Sequence, residues 1–392
     1  MPSEFNDYFQ RELENRLREL ETRSQSRTLA EIRGVNLCSN DYLGLAGDPQ
    51  LHGAVLDAVR DTARVGGTGS RLLSGHTGVW DEVEEEFARF VGVDAALYFG
   101  SGYAANVGLL TSVLTKNDLV FSDELNHASL IDGIRLSGAR KVIYSHLDLN
   151  ALESALREHE RGSGSRFVVT ETVFSMDGDV VALRELLALC ERFGAGVILD
   201  EAHATAVHGP AGRGIAAEVG AVRDAAAVVH TCGKALASAG AFVCGSAALR
   251  EHLINHARTF IFSTAMPPYM AGQIRAALRL ALGMDAERAE LLSRSRRLAA
   301  GLRAQGWDTA GSSTQIVPVV TGGNAEALAA AAYLQQQGFA VRAIRPPTVK
   351  RGSARLRFSV TCEVAPHELE RLEEALGTWR GQRCGQAMAG RG

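Results

Sequence analysis

Short apolar segments alternate with amphipathic helical segments through the middle of the chain, and this alternation limits the possible folds more than any other feature. Strands are predicted over 95–99, 119–122, 141–145, 167–171 and 196–200, and helical patterns such as Leu183–Phe193 lie between them. Mostly uncharged, β-branched strands are typical of a sheet that is buried on both faces. The sequence therefore predicts an α/β protein with a mainly parallel sheet and helices on both sides.

The two ends of the chain have different patterns. An amphipathic helix is predicted over 5–23, followed by a short strand at 35–38. After Pro267-Pro268, a long helical region over about 269–304 leads to strands at 315–320, 339–344 and 355–360. We therefore expect an N-terminal helix and strand (1–45), a large domain (46–285), a smaller α+β domain (286–380) and a disordered tail (381–392).

Composition excludes several classes of protein. A net charge of −4 without a basic block argues against nucleic-acid or anionic-membrane partners. No apolar run approaches the ~20 residues that span a bilayer, and the acidic N-terminus does not resemble a secretory signal. The six cysteines are scattered without a CxxC pair, so we expect reduced thiols, no metal site and a cytoplasmic location.

A lysine lies between two apolar runs near the middle of the chain. Lys234 falls in a loop between Ala225–Val229 and Ala241–Gly245, beside Gly233 and Gly240. On its own, such a lysine is more often solvated. If it is instead desolvated, its pKa falls and its amine becomes a nucleophile.

Polar residues follow several of the predicted strands, at the sheet edge where open parallel sheets bind ligands. Gly102 and Tyr103 begin a helix after 95–99, so their backbone can hold a phosphate or form a plain turn. His127 can stack on an aromatic ligand or cap the next helix. Ser175 can donate a hydrogen bond or belong to a simple turn.

Asp200 and His203 follow the strand at 196–200. A carboxylate at the end of an apolar strand is poorly solvated unless a cation pairs with it, and a pyridinium nitrogen would do so. A structural Asp–His pair is the alternative. Together with Thr231 and Lys234, these residues suit pyridoxal 5′-phosphate (PLP), with its aldehyde at Lys234 and its ring nitrogen at Asp200. Neither a GxSxG nor a GxGxxG motif is present.

The residues at these strand ends belong to longer motifs. Through these motifs the chain resembles the α-oxoamine synthases, a family of fold-type I PLP-dependent enzymes. The matching motifs are SNDYLGLA (39–46), GTGSRLLSG (67–75), FGSGYAANVG (99–108), DELNHASLIDG (123–133), ETVFSMDGD (171–179), LDEAHATAVHGPAGRG (199–214), TCGKALASAGAFVCGS (231–246), FSTAMPP (262–268) and IRPPTV with ARLRFSVT (344–361). They occur in the family's order over residues 36–361.

The resemblance implies a role for each matching residue. Lys234 would hold the cofactor covalently and later act as a base. Asp200 would pair with the pyridine nitrogen, His203 would bind the ring hydroxyl, and His127 would stack on the ring. The remaining cofactor contacts implied are Gly102, Tyr103, Ser175 and Thr231, with Ser263 and Thr264 reaching the site of a neighbouring subunit.

The substrate residues are also implied by the resemblance. Asn40 and Arg357 would hold the amino-acid carboxylate, and Thr348 and an N-terminal arginine, for which we favour Arg27 over Arg23, would contact substrate. The implied assembly is a homodimer with shared active sites. The implied reaction is the decarboxylative condensation of L-alanine with pimeloyl-CoA or its carrier-protein equivalent.

Other members of the family use glycine or serine and other acyl chains, as in 2-amino-3-ketobutyrate ligase, 5-aminolevulinate synthase and serine palmitoyltransferase. An aminotransferase and a catalytically silent scaffold remain as further alternatives. The chain also departs from the family pattern, since Ala206 replaces a glycine, and Ala237 and Ser238 replace glycine or alanine. We expect Ala206 to stiffen or shift the loop after His203.

Overall fold

Twelve strands and fourteen α-helices occur in the part of the chain that the computed structural model describes, residues 4–160 and 164–389. The strands are β1 Val35–Asn36, β2 Ala95–Phe99, β3 Leu119–Asp123, β4 Arg140–Tyr144, β5 Arg166–Glu171, β6 Gly196–Asp200, β7 Ala227–Thr231, β8 Ala241–Gly245, β9 Ile316–Gly322, β10 Phe339–Ala340, β11 Ala343–Ile344 and β12 Ala354–Ser359.

The helices connect these strands and cover both faces of the main sheet. They are α1 Glu4–Thr22, α2 Pro49–Asp61, α3 Gly78–Val91, α4 Gly102–Val113, α5 Ala128–Ser137, α6 Leu149–Glu158, α7 Leu183–Arg192, α8 Ile215–Glu218, α9 Ala247–His256, α10 Arg258–Ile261, α11 Tyr269–Leu282, α12 Asp285–Ala304, α13 Asn324–Gln336 and α14 Pro366–Ala389. None of these helices is long and apolar enough to cross a membrane.

A seven-stranded sheet in the order β2-β8-β7-β6-β5-β3-β4 forms the centre of the fold. Its strands pair in parallel except at β8, which runs antiparallel to both neighbours. This confirms the predicted α/β fold with a mainly parallel sheet. The carboxyl ends of β3, β5, β6 and β7 meet at one edge, which brings the loops that follow them together.

Alternate side chains of the central strands enter two separate hydrophobic cores, one on each face of the sheet. In β6, Ile198 packs in one core and Leu199 in the other, and in β7 Val229 and Val228 divide in the same way. This alternation follows from the two-residue period of a strand. It explains why these strands read as continuous apolar runs in the sequence.

A smaller antiparallel sheet in the order β11-β12-β9 follows in the C-terminal part. We predicted one strand over 339–344, but the structure divides it, because β10 pairs with β1 while β11 pairs with β12. The predicted strand at 35–38 is also shorter. The Asn36 side chain accepts hydrogen bonds from the backbone N–H groups of Cys38 and Ser39, and this turn ends β1.

The N-terminal segment lies against β12. The backbone N–H of Ser359 donates to Leu37 O at 2.9 Å, and that of Cys362 donates to Tyr42 O at 2.9 Å. Residues 39–42 are thereby placed beside Arg357. The division into domains at residues 45, 285 and 380 stays a prediction. Helix α14 extends to Ala389, within the tail expected to be disordered, and residues 390–392 lie outside the described ones.

Candidate active site

A cavity of about 380 Å³ opens at the carboxyl edge of the main sheet, where the loops after several strands meet. Its lining comprises Asn40, Gly100, Ser101, Gly102, Tyr103, Asn106, His127, Ser129, Glu171, Asp200, Ala202, His203, Thr231, Gly233, Lys234, Ser238, Ala239 and Gly240. Many of the residues singled out in the sequence therefore share one cavity, although they are spread over about two hundred positions of the chain.

Lys234 lies in the short loop between β7 and β8, within a tight turn in which Ala237 N donates to Lys234 O at 2.9 Å. Its side chain is partly buried. Burial lowers the pKa of the Lys234 amine, while the nearby carboxyl groups of Asp200 and Glu171 oppose this shift. Burial, assisted by the charge of Arg357, therefore outweighs the two acids, and more of the amine is in the neutral, nucleophilic form than for a solvated lysine.

Asp200 ends β6, and both of its carboxylate oxygens are held in place. Asn106 Nδ2 donates to Oδ2 at 2.7 Å, and the backbone N–H of Ala202 donates to Oδ1 at 2.8 Å. The side chain is buried and lines the cavity. A fixed, poorly solvated carboxylate of this kind is suited to a cationic ligand group.

His203 lies three residues beyond Asp200 and is also buried. Its Nδ1 is 2.7 Å from the hydroxyl oxygen of Tyr42. Burial, followed by the charges of Lys234, Arg357 and His127, lowers the pKa of His203 well below its usual value. The imidazole is therefore neutral at physiological pH and can offer one N–H donor.

Arg357, on β12, is buried, and among the side chains that the structure describes its guanidinium contacts only neutral oxygens. Two of its guanidinium nitrogens donate to Asn40 Oδ1, each at 3.2 Å, and Nε donates to Ser175 O at 2.6 Å. A buried cation held only by neutral oxygens is stabilised further by an anion. A substrate carboxylate suits the planar donor geometry of arginine.

The N-terminus of α4 forms another wall of the cavity. Ser101 caps this helix, since its hydroxyl accepts a hydrogen bond from Ala104 N at 3.0 Å. A Cβ atom at Gly102 would lie 2.7 Å from Thr231 Cγ2, so the close approach of the two loops requires glycine there. Backbone N–H groups at a helix start attract anions such as phosphate.

His127 has the capping role that the sequence offered as one of two alternatives, and its stacking on a ring stays a prediction. It caps α5, because its Nδ1 accepts from Ser129 N at 3.2 Å, and it also lines the cavity. Burial lowers the pKa of His127, with Lys234 acting in the same direction and Asp200 opposing it. A neutral ring at this position can stack on a flat ligand.

The remaining predicted residues do not line this cavity. Ser175 and Arg357 lie behind it, linked to it through Glu171 and Asn40. Ser263 and Thr264 are exposed, and Thr264 forms a β-bridge with Ser70. Thr348 is exposed, and Arg27 is exposed and donates to Pro346 O at 3.3 Å. Their predicted substrate and cofactor roles stay predictions.

A model of aminotransferases of class I and II matches residues 32–376, most of the chain. The chain belongs to the aminotransferase class I and II family. It is 46% identical to the 8-amino-7-oxononanoate synthase of Geobacter sulfurreducens, over 90% of this chain and 89% of that protein.

Solved structures show the same relationship. A serine palmitoyltransferase (SPT) with its PLP internal aldimine is 30% identical with a TM-score of 0.82, and the match covers 88% of this chain and 87% of that one. The 8-amino-7-oxononanoate synthase of Francisella tularensis is 27% identical with a TM-score of 0.78, over 89% and 98% of the two chains. The resemblance to α-oxoamine synthases is thereby confirmed.

The cavity of this class I and II family member has a suitable donor set for PLP. Lys234 provides an amine for the aldehyde, and the rigidly held Asp200 provides a carboxylate for the pyridine nitrogen. The neutral His203 can donate to the ring oxygen, and the start of α4 with Gly102 provides room and N–H groups for the phosphate.

Three lining or adjacent residues were missed in the sequence. Asn106 holds Asp200, Tyr42 contacts His203, and Glu171 is fully enclosed beside Ser175, whose backbone N–H donates to its Oε2 at 3.2 Å. Burial and the charge of Asp200 raise the pKa of Glu171 well above its usual value. Two of the three could have been found in the sequence. Glu171 ends a buried strand next to that of Asp200, and Asn106 is a polar residue within an apolar helix.

Proposed function

We propose that this chain condenses L-alanine with a pimeloyl thioester, either pimeloyl-CoA or the carrier-protein form. The products are 8-amino-7-oxononanoate, CO₂ and the free thiol, and the reaction is a step of biotin biosynthesis. The proposal rests on one observation above all, the convergence of Lys234, Asp200 and His203 on a single cavity beside the unpaired Arg357. The identity to 8-amino-7-oxononanoate synthases supports it.

We propose PLP as the cofactor, which when bound acts as an electron sink for the α-carbon of the amino acid. Lys234 would hold it covalently, and once freed its amine would be the base that removes the α-proton. Its lowered pKa favours this role, because a base must be unprotonated to act. Asp200, which Asn106 holds in place, would pair with the pyridine nitrogen and favour its protonated form.

Arg357 and Asn40 bind the carboxylate of the amino acid in this proposal. The guanidinium N–H groups, which donate to Asn40 Oδ1 in the structure, would donate to the carboxylate, and the Asn40 side-chain amide can donate to it as well. A carbon–carbon bond forms between the α-carbon and the acyl carbon, and the thiolate leaves. The carboxylate then leaves as CO₂, and a proton takes its place on the α-carbon.

We also propose a homodimer in which Ser263 and Thr264 of one subunit complete the site of the other. Both residues are exposed, and neither lines the cavity of their own chain. Large apolar side chains are exposed close to them. Phe262, which precedes Ser263, has 70% of its surface accessible, and Leu73, three residues from the bridge between Ser70 and Thr264, has 84%. Such exposed apolar groups are typical of an interface.

We further propose that the enzyme acts in the cytoplasm. The five cysteines whose side chains are described are free thiols, which supports a reducing compartment.

Product analysis tests the activity. The PLP-loaded protein should convert L-alanine and pimeloyl-CoA into a product with the mass of 8-amino-7-oxononanoate, and Lys234→Ala should remove turnover by at least about 10³-fold, because it deletes both the attachment point and the base. An active Lys234→Ala protein, or a wild type that yields no such product from either thioester, would contradict the proposal.

A second candidate is the condensation of serine with a longer acyl thioester, which the 30% identity to SPT favours. The two candidates differ in amino acid and in acyl chain. Parallel reactions with alanine, glycine and serine, each with pimeloyl-CoA and palmitoyl-CoA, separate them by product mass. A preference for serine and palmitoyl-CoA would replace the first proposal by the second.

A further inference from the structure

Tyr42 is fully buried, and its hydroxyl joins the two halves of the candidate site. The hydroxyl oxygen is 2.7 Å from His203 Nδ1 and 3.1 Å from Asn40 Oδ1, and a guanidinium nitrogen of Arg357 lies 3.5 Å away. His203 faces the cofactor side of the cavity, while Asn40 and Arg357 belong to the proposed carboxylate side. One hydroxyl group therefore contacts both.

The hydroxyl has a single proton, and the surrounding hydrogen bonds determine where it points. Asn40 Oδ1 already accepts two N–H groups of Arg357, and the Ser359 hydroxyl donates to it at 3.3 Å, so its lone pairs are in use. Arginine can only donate, so Arg357 cannot accept the proton. His203 Nδ1 is the remaining acceptor, and its contact with the tyrosine is also the shorter one.

We propose that Tyr42 is a positioning residue that holds His203 in the tautomer protonated at Nε2, and that it connects this imidazole to the Asn40–Arg357 pair. An Nδ1 that accepts a hydrogen bond places the only ring proton on Nε2. Among the described residues, no hydrogen-bond partner faces Nε2. The backbone of His203 is fixed as well, because Gln315 Nε2 donates to its carbonyl at 2.8 Å.

The consequence for the ligand rests on the proposed function. An N–H group at Nε2 can donate to the ring oxygen of PLP, whereas the other tautomer would present a lone pair to that oxygen and repel it. The low pKa of His203, caused first by burial, excludes a doubly protonated ring at neutral pH. Tautomer selection is then what makes His203 a donor.

Nitrogen NMR of the cofactor-free protein, labelled with ¹⁵N in both histidine ring nitrogens, tests the tautomer directly. The His203 signals are assigned as those lost in His203→Gln. In wild type we expect the Nδ1 signal at the chemical shift of an unprotonated ring nitrogen and the Nε2 signal at the chemical shift of a ring N–H nitrogen. In Tyr42→Phe we expect signals averaged between the two tautomers. Protonated Nδ1 in wild type would overturn the proposal even if the variant did not fold.

A matched control is Tyr144→Phe, which also removes a buried phenol hydroxyl but on β4. It should leave the His203 signals unchanged. PLP affinity, measured by titration, should fall about 3- to 10-fold in Tyr42→Phe and not in Tyr144→Phe, as expected for one weakened hydrogen bond. A pure tautomer and unchanged affinity in Tyr42→Phe would overturn the proposal. Failure of wild type to bind PLP would refute the cofactor assignment alone.

Discussion

Ala237, next to the Lys234 turn, has a left-handed backbone with φ of 42°, and Ala206 after His203 has φ of 64°. Both are departures, noted in the sequence, from the family pattern, which has glycine at these positions. The loops therefore keep a glycine-like conformation despite the alanines, and the departure noted in the sequence appears as local strain. A left-handed alanine costs about 1–2 kcal/mol.

Replacing Ala237 by glycine should change the free energy of unfolding by less than about 0.5 kcal/mol. Relief of the left-handed strain offsets the loss of a partly buried methyl group and the larger entropy of glycine in the unfolded chain. Ala235→Gly is the matched control, because Ala235 is buried and has no positive φ. It should lower that free energy by about 1–2 kcal/mol. Chemical denaturation of the cofactor-free proteins measures the free energy of unfolding of each variant. An equal decrease in the two variants would contradict backbone strain at Ala237.

At the level of single residues, the sequence showed which residues belong to the site better than it showed their contacts and backbone angles. Lys234, Asp200 and His203 could be selected because each follows a recognisable strand and belongs to a motif. Tyr42 could not, since its role depends on a contact with a residue 161 positions away in the chain. Neither could the backbone angle of Ala237, because an alanine in a sequence gives no sign of a positive φ.

Among the elements, one histidine connects three of the loops at the carboxyl edge of the sheet. His146, after β4, is 2.8 Å from Asp123 at the end of β3 and 2.8 Å from Asp179 in the loop that contains Ser175. Burial opposes protonation of this imidazole, but the hydrogen bonds to Asp123 and Asp179 outweigh it and raise its pKa to about 10. A cation between two carboxylates thus fixes the loops that precede His127 and follow Ser175.

Substitution His146→Gln should destabilise the protein at low pH and much less at high pH. Since the folded pKa lies above the ordinary value near 6.5, the stabilisation is complete below pH 6.5 and is lost as the pH rises through about 10. We expect a loss of about 1–2 kcal/mol at pH 6.5, after allowance for solvent screening. Melting temperatures of both proteins from pH 6.5 to 10 should converge.

The exposed His367, whose side chain is 69% accessible, offers the control His367→Gln. It should shift the melting temperature little at any pH. If the difference in melting temperature between wild type and His146→Gln stays constant up to pH 10, His146 is not protonated in the folded protein. The sequence located the three loops but not this link, because the register of β3, β4 and β5 decides which side chains meet.

For the whole molecule, the alternation of strands and helices was sufficient to predict the α/β fold, because buried parallel strands and their helices have distinct patterns. The antiparallel β8 was not predicted, since hydrophobicity does not encode strand direction. The split between β10 and β11 was missed for a related reason, as their two partners belong to different sheets. The places of Ser263 and Thr264 concern the assembly of two subunits, because neither residue lines the cavity of its own chain.

Hybrid dimers test whether those residues act on the partner's site. Subunits with Lys234→Ala have no catalytic amine. Subunits with Ser263→Ala and Thr264→Val should bind PLP at least tenfold more weakly, since lost hydrogen bonds to a charged cofactor cost about 1.5–3 kcal/mol each. The hybrid of these two subunits, co-expressed with two different tags and purified through both, should regain about half of the wild-type activity, because one of its sites has a complete set of residues.

A hybrid of one Lys234→Ala subunit and one Asp200→Asn subunit is the control. It should stay inactive because both residues line the cavity of their own chain. If the first hybrid is as inactive as this control, Ser263 and Thr264 do not complete the site across the interface.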